Sequence, residues 1–212
     1  MTILDITTPL TLPPSKTPRS EGLHVSNIIR SLAVEVGFLD KKWVEDLSLV
    51  DAREITDPNV ILRMRIGLAW EEHLIPTLEG VTDHPGEILL QGVYMSPDGE
   101  SVDRVLLGSR GFELVVHEVK CTYKSAKHDL KTQWMWLTQL KAYCKGLGTR
   151  FARIYILYIC GDYKYPITPI YQVYEVEFTQ AEIDTNWAVL VDYSQYRLNM
   201  ETGSVLTTAE EM

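Results

Sequence analysis

Glu118 and Lys120 stand two residues apart in the stretch FELVVHEVKC, residues 112–121. Side chains on a strand repeat every second residue, so both belong to the face that starts with Phe112, Leu114 and Val116. That apolar stripe anchors the strand in a core. A carboxylate and an ammonium that take it over need a partner, a metal or solvent, because an unpaired charge beside a core is costly. Asp98 in SPDG and Asp103 in SVDR lie just upstream, on a segment that returns through GSRG as a hairpin. A three-residue loop there, with Gly111 in the left-handed position, pairs Asp98 with the Glu118 face; a two-residue turn shifts the register by one and brings Asp103 instead. Either pairing sets an aspartate and a glutamate beside a lysine. Hard carboxylate oxygens suit Mg²⁺ or Mn²⁺, ions that retain water. A neighbouring lysine can orient or deprotonate that water and stabilise charge developing on a phosphate. Plainer readings compete, since a Glu/Lys pair is ordinary where a strand surfaces and Pro-Asp-Gly is a common turn.

These residues must be held by regular elements, and the pattern supplies them. HVSNIIRSLAVEVGFLD has apolar residues at helical spacing, with Ser26 or Asn27 able to cap it. NVILRMRIGLAWEEHLIPTLEG is a second helix, with Asp57 as cap, Pro58 at its start and Pro76 ending or kinking it. EILLQGVYMSPDGESVDRVLLGSRGFELVVHEVKCTY reads as strands joined by turns at PDG and GSRG. KTQWMWLTQLKAYCKGLG is a long helix closed by glycine, and ARIYILYICGDY and YQVYEVEF are strands. TQAEIDTNWAVLVDYSQYRLN opens with a capping box at Thr179 and Glu182. The order α-α-β-β-β-α-β-β-α predicts one α/β domain, a central mixed sheet flanked by helices.

A chain of 212 residues has room for one such domain over 23–212 with a sizeable core. Residues 1–22, MTILDITTPLTLPPSKTPRSEG, read as a Pro/Thr/Ser arm without the basic start and apolar block of a signal peptide. No apolar run reaches the roughly 18 to 20 residues of a membrane span. Cys121, Cys144 and Cys160 are odd in number and widely spaced, which argues against a disulfide framework or a CxxC zinc site and fits a reducing cytoplasm. The net charge of −9 argues against coating nucleic acid by bulk electrostatics. The charge is uneven, however. Lys120, Lys124, Lys127, His128, Lys131, Lys141, Lys145, Arg150 and Arg153 form a stretch in which Asp129 is the exception. An acidic chain with one basic strip does not exclude an enzyme that gathers carboxylates around metal ions and holds DNA locally. Trp134 and Trp136 have two readings, stacking on bases or packing on the sheet. His73 and His128 read as ordinary, partly exposed histidines.

Asp98 followed by Glu118-Val119-Lys120 resembles the D…ExK core of the PD-(D/E)XK nucleases. SPDG and HEVKCT are similar to the lambda-exonuclease/YqaJ branch, in which a PDG turn precedes an E-x-K-C strand. Gly67 and Glu71 of RIGLAWEEHL match that branch's helical G-x-x-x-E motif. Gln139 and Tyr143 of TQLKAY match the Q-x-x-x-Y helix of RecB-like nucleases. The four motifs keep the family's order over residues 67–143, and EFTQAEIDTNW is similar to phage-type relatives. The match departs at one point: Asp98 and Glu118 are further apart than in lambda exonuclease, and SVDR suits a RecB-like spacing, so both aspartates stay open, with Asp98 favoured by its PDG context. A fourth cysteine, needed by the iron–sulfur subset of RecB-like nucleases, is missing.

The resemblance implies a restriction-endonuclease-like core and a deoxyribonuclease using Mg²⁺ or Mn²⁺, an exonuclease of phage recombination or DNA repair working in the host cytoplasm. It makes Asp98, Glu118 and the Val119 backbone carbonyl metal ligands, with Glu71 joining directly or through water; Glu72 competes with Glu71. Lys120 would position or activate the attacking water. Gln139, Tyr143, Lys124, Lys127 and Lys131 would touch DNA. The branch includes ring-shaped trimers, which leaves room for a homo-oligomer, and a single-strand-annealing or recombination protein is an expected partner. Two other readings share the motifs: a nucleic-acid-binding or assembly protein that keeps the fold without catalysis, and a restriction-type endonuclease.

Overall fold

The computed structural model describes residues 20–39, 57–107 and 111–202. All but the last three residues of the arm expected over 1–22, and most of the GSRG turn, fall outside these residues. Five strands form the main sheet, in the order β2 (Thr82–Asp83), β5 (Gly99–Arg104), β6 (Phe112–Thr122), β7 (Phe151–Tyr158) and β8 (Ile170–Glu177). β6 and β7 run parallel at the centre, and the other pairings are antiparallel. Helix α3 (Trp134–Leu147) makes the crossover that a parallel pair requires. This is the mixed sheet flanked by helices that the element order predicts. A second sheet was not foreseen: β1 (Leu23–His24), β4 (Val93–Met95) and β3 (Ile88–Leu90) pair in that order. β3 and β4 lie in the stretch read as strands, but elements of two or three residues carry no periodic signal that would assign them to a separate sheet.

The helix ends follow local chemistry. In α2 (Pro58–Leu74), the Asp57 carboxylate accepts the Asn59 N–H at 2.8 Å, and Pro58 sits where its missing donor costs nothing. A 3₁₀ turn at Ile75–Thr77, holding Pro76, follows it. In α4 (Gln180–Thr202) the expected capping box forms, with Thr179 N–H donating to Glu182 Oε2 at 2.8 Å and Glu182 N–H to Thr179 Oγ1 at 3.2 Å. Helix α3 starts three residues later than its pattern suggests, because Asp129 caps a separate 3₁₀ turn, Leu130–Thr132, through the Lys131 N–H. It closes on Gly148 at φ +68°, where a side chain would be strained. Helix α1 (Val25–Glu35) corrects the sequence reading. Its N-cap is His24, with no side-chain cap bond, because β1 runs directly into the helix and leaves Ser26 and Asn27 inside it.

Helices cover both faces of the sheet. Val116, Ala152, Ile154 and Ile156 pack with Ile28 of α1, Leu140 of α3 and Leu190 of α4. On the other face Val119 and Tyr155 meet Leu74 and Ile75 at the end of α2. With both faces covered, alternation disappears from the middle of β6, and Val115 through Val119 are all buried. The stripe expected to run from Phe112 is therefore anchored by Val116. Phe112 itself is 73% exposed at the strand's free end. Among the described residues no helix is long and apolar enough to cross a membrane.

Candidate active site

The register of β5 on β6 puts the two aspartates on opposite faces of the sheet. Gly99 pairs with His117 and Asp103 with Glu113. Continuing that count by one residue puts Asp98 opposite Glu118 and on its face. Asp103 falls on the opposite face, roughly 16 Å further along at about 3.3 Å per residue. There it forms an ion pair with Arg153, which also binds Glu175 at 3.0 Å. Gly99 makes the approach of Asp98 feasible: a Cβ at that position would lie 2.8 Å from Val81 Cγ1 and 3.2 Å from the Thr82 carbonyl. PDG thus acts as the entry to a strand whose first residue must be bare.

β5 pairs with β6 only as far as His117, so the edge of β6 beyond it lacks a strand partner. Asp98 closes the gap, its Oδ2 accepting the Val119 N–H at 2.7 Å. A strand residue turns its N–H and C=O to the same edge, so the Val119 carbonyl faces this gap as well. Glu118 is 1% exposed. Its Oε1 accepts from the Lys120 ammonium, while its Oε2 is buried without a hydrogen-bond partner. Lys120 Nζ also donates to Gln139 Oε1 at 3.0 Å, and Gln139 Nε2 donates to the Tyr143 hydroxyl at 2.7 Å. Glu118, Lys120, Gln139 and Tyr143 thereby form one hydrogen-bonded chain from β6 to α3. Tyr143 is 4% exposed, so it corrects the expectation of a DNA contact: its ring belongs to the core and its hydroxyl holds Gln139.

Glu71, near the end of α2, joins from the third side. Its carboxyl is pushed up to about 7, first by burial and then by the Glu118 charge, and its Oε1 lies 3.5 Å from His84 Nε2. Its neighbour Glu72 is exposed. Burial, then Glu71, pushes Asp98 up to about 7. Burial, then Asp98, pushes Glu118 up to about 8. For Lys120 burial alone would favour the neutral amine, but Glu118 and Asp98 outweigh it and raise its pKa. Three carboxyls that hold protons this far above their ordinary range, around one lysine, mark a pocket short of positive charge.

Among the described residues no three His, Cys, Asp or Glu side chains stand together as a ready metal cluster. The donor chemistry nevertheless fits a hard divalent cation. Glu118 Oε2 is a buried acceptor with nothing to accept, and Asp98 and Glu71 supply further carboxylate oxygens. Gly67, the other half of the G-x-x-x-E match, has open space where a Cβ would go, so the structure gives no steric reason for glycine there.

The basic stretch divides. Lys145 pairs with Asp184 at 2.7 Å, Arg150 with Glu177 at 3.4 Å, and Arg153 with two carboxylates, so three cations of its later half are engaged in ion pairs. In its first half Lys124, exposed on the surface, donates to Gln133 Oε1 at 2.5 Å and lies 5.1 Å from the Trp136 ring. Lys127 and Lys131 are exposed. Trp134 meets Phe38 edge-on at 5.3 Å, and both tryptophans pack against the core. His73 and His128 are exposed.

Two groups escaped the sequence reading. Asp83 and His84 flank Glu71, brought there by the two-residue β2, which carries no periodicity. His117 is buried between Ser101 Oγ and the Tyr155 hydroxyl, each at 2.8 Å. Burial drives its pKa down to about 4, so it is neutral and ties β5, β6 and β7 together beside Glu118. Its position next to Glu118 was visible in HEVK, but its partners were not.

No protein-family model and no curated protein matches the sequence. Among solved structures, the chain is similar to a phage-related exonuclease from Haemophilus somnus 129PT, with TM-score 0.52 and 13% identity over 86% of this chain and 96% of that one. An alkaline exonuclease from Laribacter hongkongensis gives TM-score 0.48 and 15% identity over 88% and 95%. The first likeness shows a shared fold, the restriction-endonuclease-like α/β core implied by the sequence motifs.

Proposed function

We propose that the chain is a metal-dependent deoxyribonuclease of the PD-(D/E)XK type, an exonuclease trimming linear DNA in phage recombination or repair. The observation that carries this reading is Glu118, a buried carboxylate with one oxygen on Lys120 and the other unsatisfied, directly opposite Asp98. Asp98, Glu118, the Val119 carbonyl and Glu71 would hold Mg²⁺ or Mn²⁺. Such an ion supplies Lewis acidity and a water of lowered pKa when bound.

The remaining work falls to the chain. Glu118 and Gln139 fix the Lys120 ammonium from two sides, so its third donor direction is left for a phosphate oxygen or the attacking water. The surrounding carboxylates keep that ammonium protonated, so it orients and stabilises charge rather than taking a proton. Tyr143 sets the Gln139 amide so that its oxygen, not its nitrogen, meets Lys120. The rigid centre of the sheet holds this set in register.

Incubating the purified protein with end-labelled linear DNA and Mg²⁺ or Mn²⁺ tests the reading. Cleavage lost in Glu118→Ala and in Lys120→Ala supports it. Absent cleavage, or cleavage that survives both changes, overturns it. Covalently closed circular DNA should resist, and its cutting would make the enzyme a restriction-type endonuclease. A second reading, a DNA-binding module that keeps the fold without catalysis, draws on the absence of three assembled ligands among the described residues. Calorimetric titration with Mn²⁺ separates the two, since the module would show no site that depends on Glu118.

A further inference from the structure

Just beyond β6 the chain sets tyrosine rings into solvent. Tyr165 is 95% exposed, and Tyr163 and Tyr123 are also open. They belong to one surface. The Tyr163 hydroxyl donates to the Tyr123 carbonyl, and the Ala126 N–H donates to the Gly161 carbonyl at 2.9 Å. Gly161 has φ +53°, and a Cβ there would strike the Thr168 carbonyl at 2.2 Å. The loop 161–168 thus closes on itself with Tyr165 near its turn.

Cations surround the rings. Lys127 and Lys164, both largely exposed, lie 3.8 and 3.6 Å from the same oxygen of Asp162, Oδ2. The Arg63 guanidinium sits 5.5 Å from the centre of the Tyr123 ring. This patch is locally basic in a chain of net charge −9. It is also close to the candidate site: Tyr123 follows Lys120 by three residues, roughly 10 Å along an extended chain. Because β7 runs parallel to β6, the loop after β7 emerges at the same end of the sheet.

We propose that this ridge is a platform for unpaired DNA next to the Glu118–Lys120 site. Bases stack on Tyr165 and Tyr163, and the backbone follows Lys127, Lys164 and Arg63. In a duplex the base faces are already stacked, so a solvent-facing ring gains only from a base that has left the helix. Lysines without exposed rings would suit duplex phosphates alone. A protein partner would favour a patch centre depleted of charge, whereas here cations are interleaved with the rings. The inference rests on the deoxyribonuclease reading and extends it by naming the form of DNA held beside the site.

The test is fluorescence anisotropy with a labelled oligothymidylate and a labelled blunt duplex, using the full chain in EDTA so that nothing is cut. Tyr165→Ala should weaken oligothymidylate binding about tenfold, with duplex binding within twofold of wild type. Tyr165→Trp should restore it. Lys127→Ala with Lys164→Ala should flatten the salt dependence. Unchanged oligothymidylate binding in Tyr165→Ala, or equal losses for both DNAs, overturns the platform. A wild-type preference for oligoribouridylate over oligothymidylate also overturns it. The two readings fail separately. Tyr165-dependent binding without metal-dependent cleavage sinks the nuclease and keeps the platform; Glu118-dependent cleavage with normal binding by Tyr165→Ala does the reverse.

Discussion

The two ends of the β5–β6 pair each bring an aspartate and a glutamate to a basic side chain, with opposite physics. At one end Asp103 and Glu175 meet Arg153, in partial contact with solvent, and both carboxyls are held below their usual range. Asp103 owes this to its Arg153 hydrogen bond. For Glu175 burial pulls the other way, and the Leu106 and Leu107 N–H groups together with Arg153 outweigh it. At the other end buried Glu118 and half-buried Asp98 lie beside Lys120, with both carboxyls far above their usual range. A satisfied ion pair holds strands together. A buried carboxylate with a spare oxygen leaves hydrogen-bonding capacity unmet. Burial and unmet hydrogen-bonding capacity, not the carboxylates themselves, separate the two.

The largest expected difference is in activity. Lys120→Ala should cut the cleavage rate by about a hundredfold or more, whereas Arg153→Ala should leave it within a few-fold while lowering the melting temperature. Steady-state cleavage and thermal denaturation on the same preparations check both halves.

Stability against pH should also diverge, and the signs follow from linkage. The folded values of Glu71, Asp98 and Glu118, about 7 to 8, stand above those of unfolded carboxyls. Their contribution is complete below the unfolded pKa and fades as pH rises through 7 to 8. The metal-free protein should therefore lose stability toward about pH 9, and Glu118→Gln should reduce that loss by on the order of 1 kcal/mol. Asp103 and Glu175 act in the opposite sense, contributing above the unfolded pKa and fading as pH falls. Asp103→Asn should cost at most about 1 kcal/mol near neutrality, since Asp103 touches solvent. Denaturant melts across pH, in EDTA, give both slopes.

Sequence and structure agree where the signal is local. The Asp57 cap, the Thr179–Glu182 box and the Gly148 stop were legible because each depends on a few neighbouring residues. ExK was legible because strand periodicity alone puts Glu118 and Lys120 on one face. The choice between Asp98 and Asp103 was not, since it depends on a register that one residue of loop length reverses. Phe112 was misplaced for a related reason: periodicity gives a face, not how far along the strand the core extends. Tyr143 and Gln139 share a helix face in sequence, yet only packing shows that one is core and the other reaches Lys120.

Smaller effects refine the comparison. Gln139→Ala should slow cleavage several-fold by freeing one side of the Lys120 ammonium, and Tyr143→Phe should do less, leaving the amide in place but unfixed. Single-turnover rates check that order. Added Mn²⁺ should raise the melting temperature of wild type and of Asp103→Asn alike, but not of Glu118→Gln.

The most direct measurement sets the two aspartates side by side: Asp98→Asn and Asp103→Asn, each with end-labelled linear DNA and Mn²⁺. Asp98→Asn should fall by about a hundredfold or more while Asp103→Asn stays within a few-fold of wild type. Near-normal cleavage by Asp98→Asn, or loss confined to Asp103→Asn, would contradict the account.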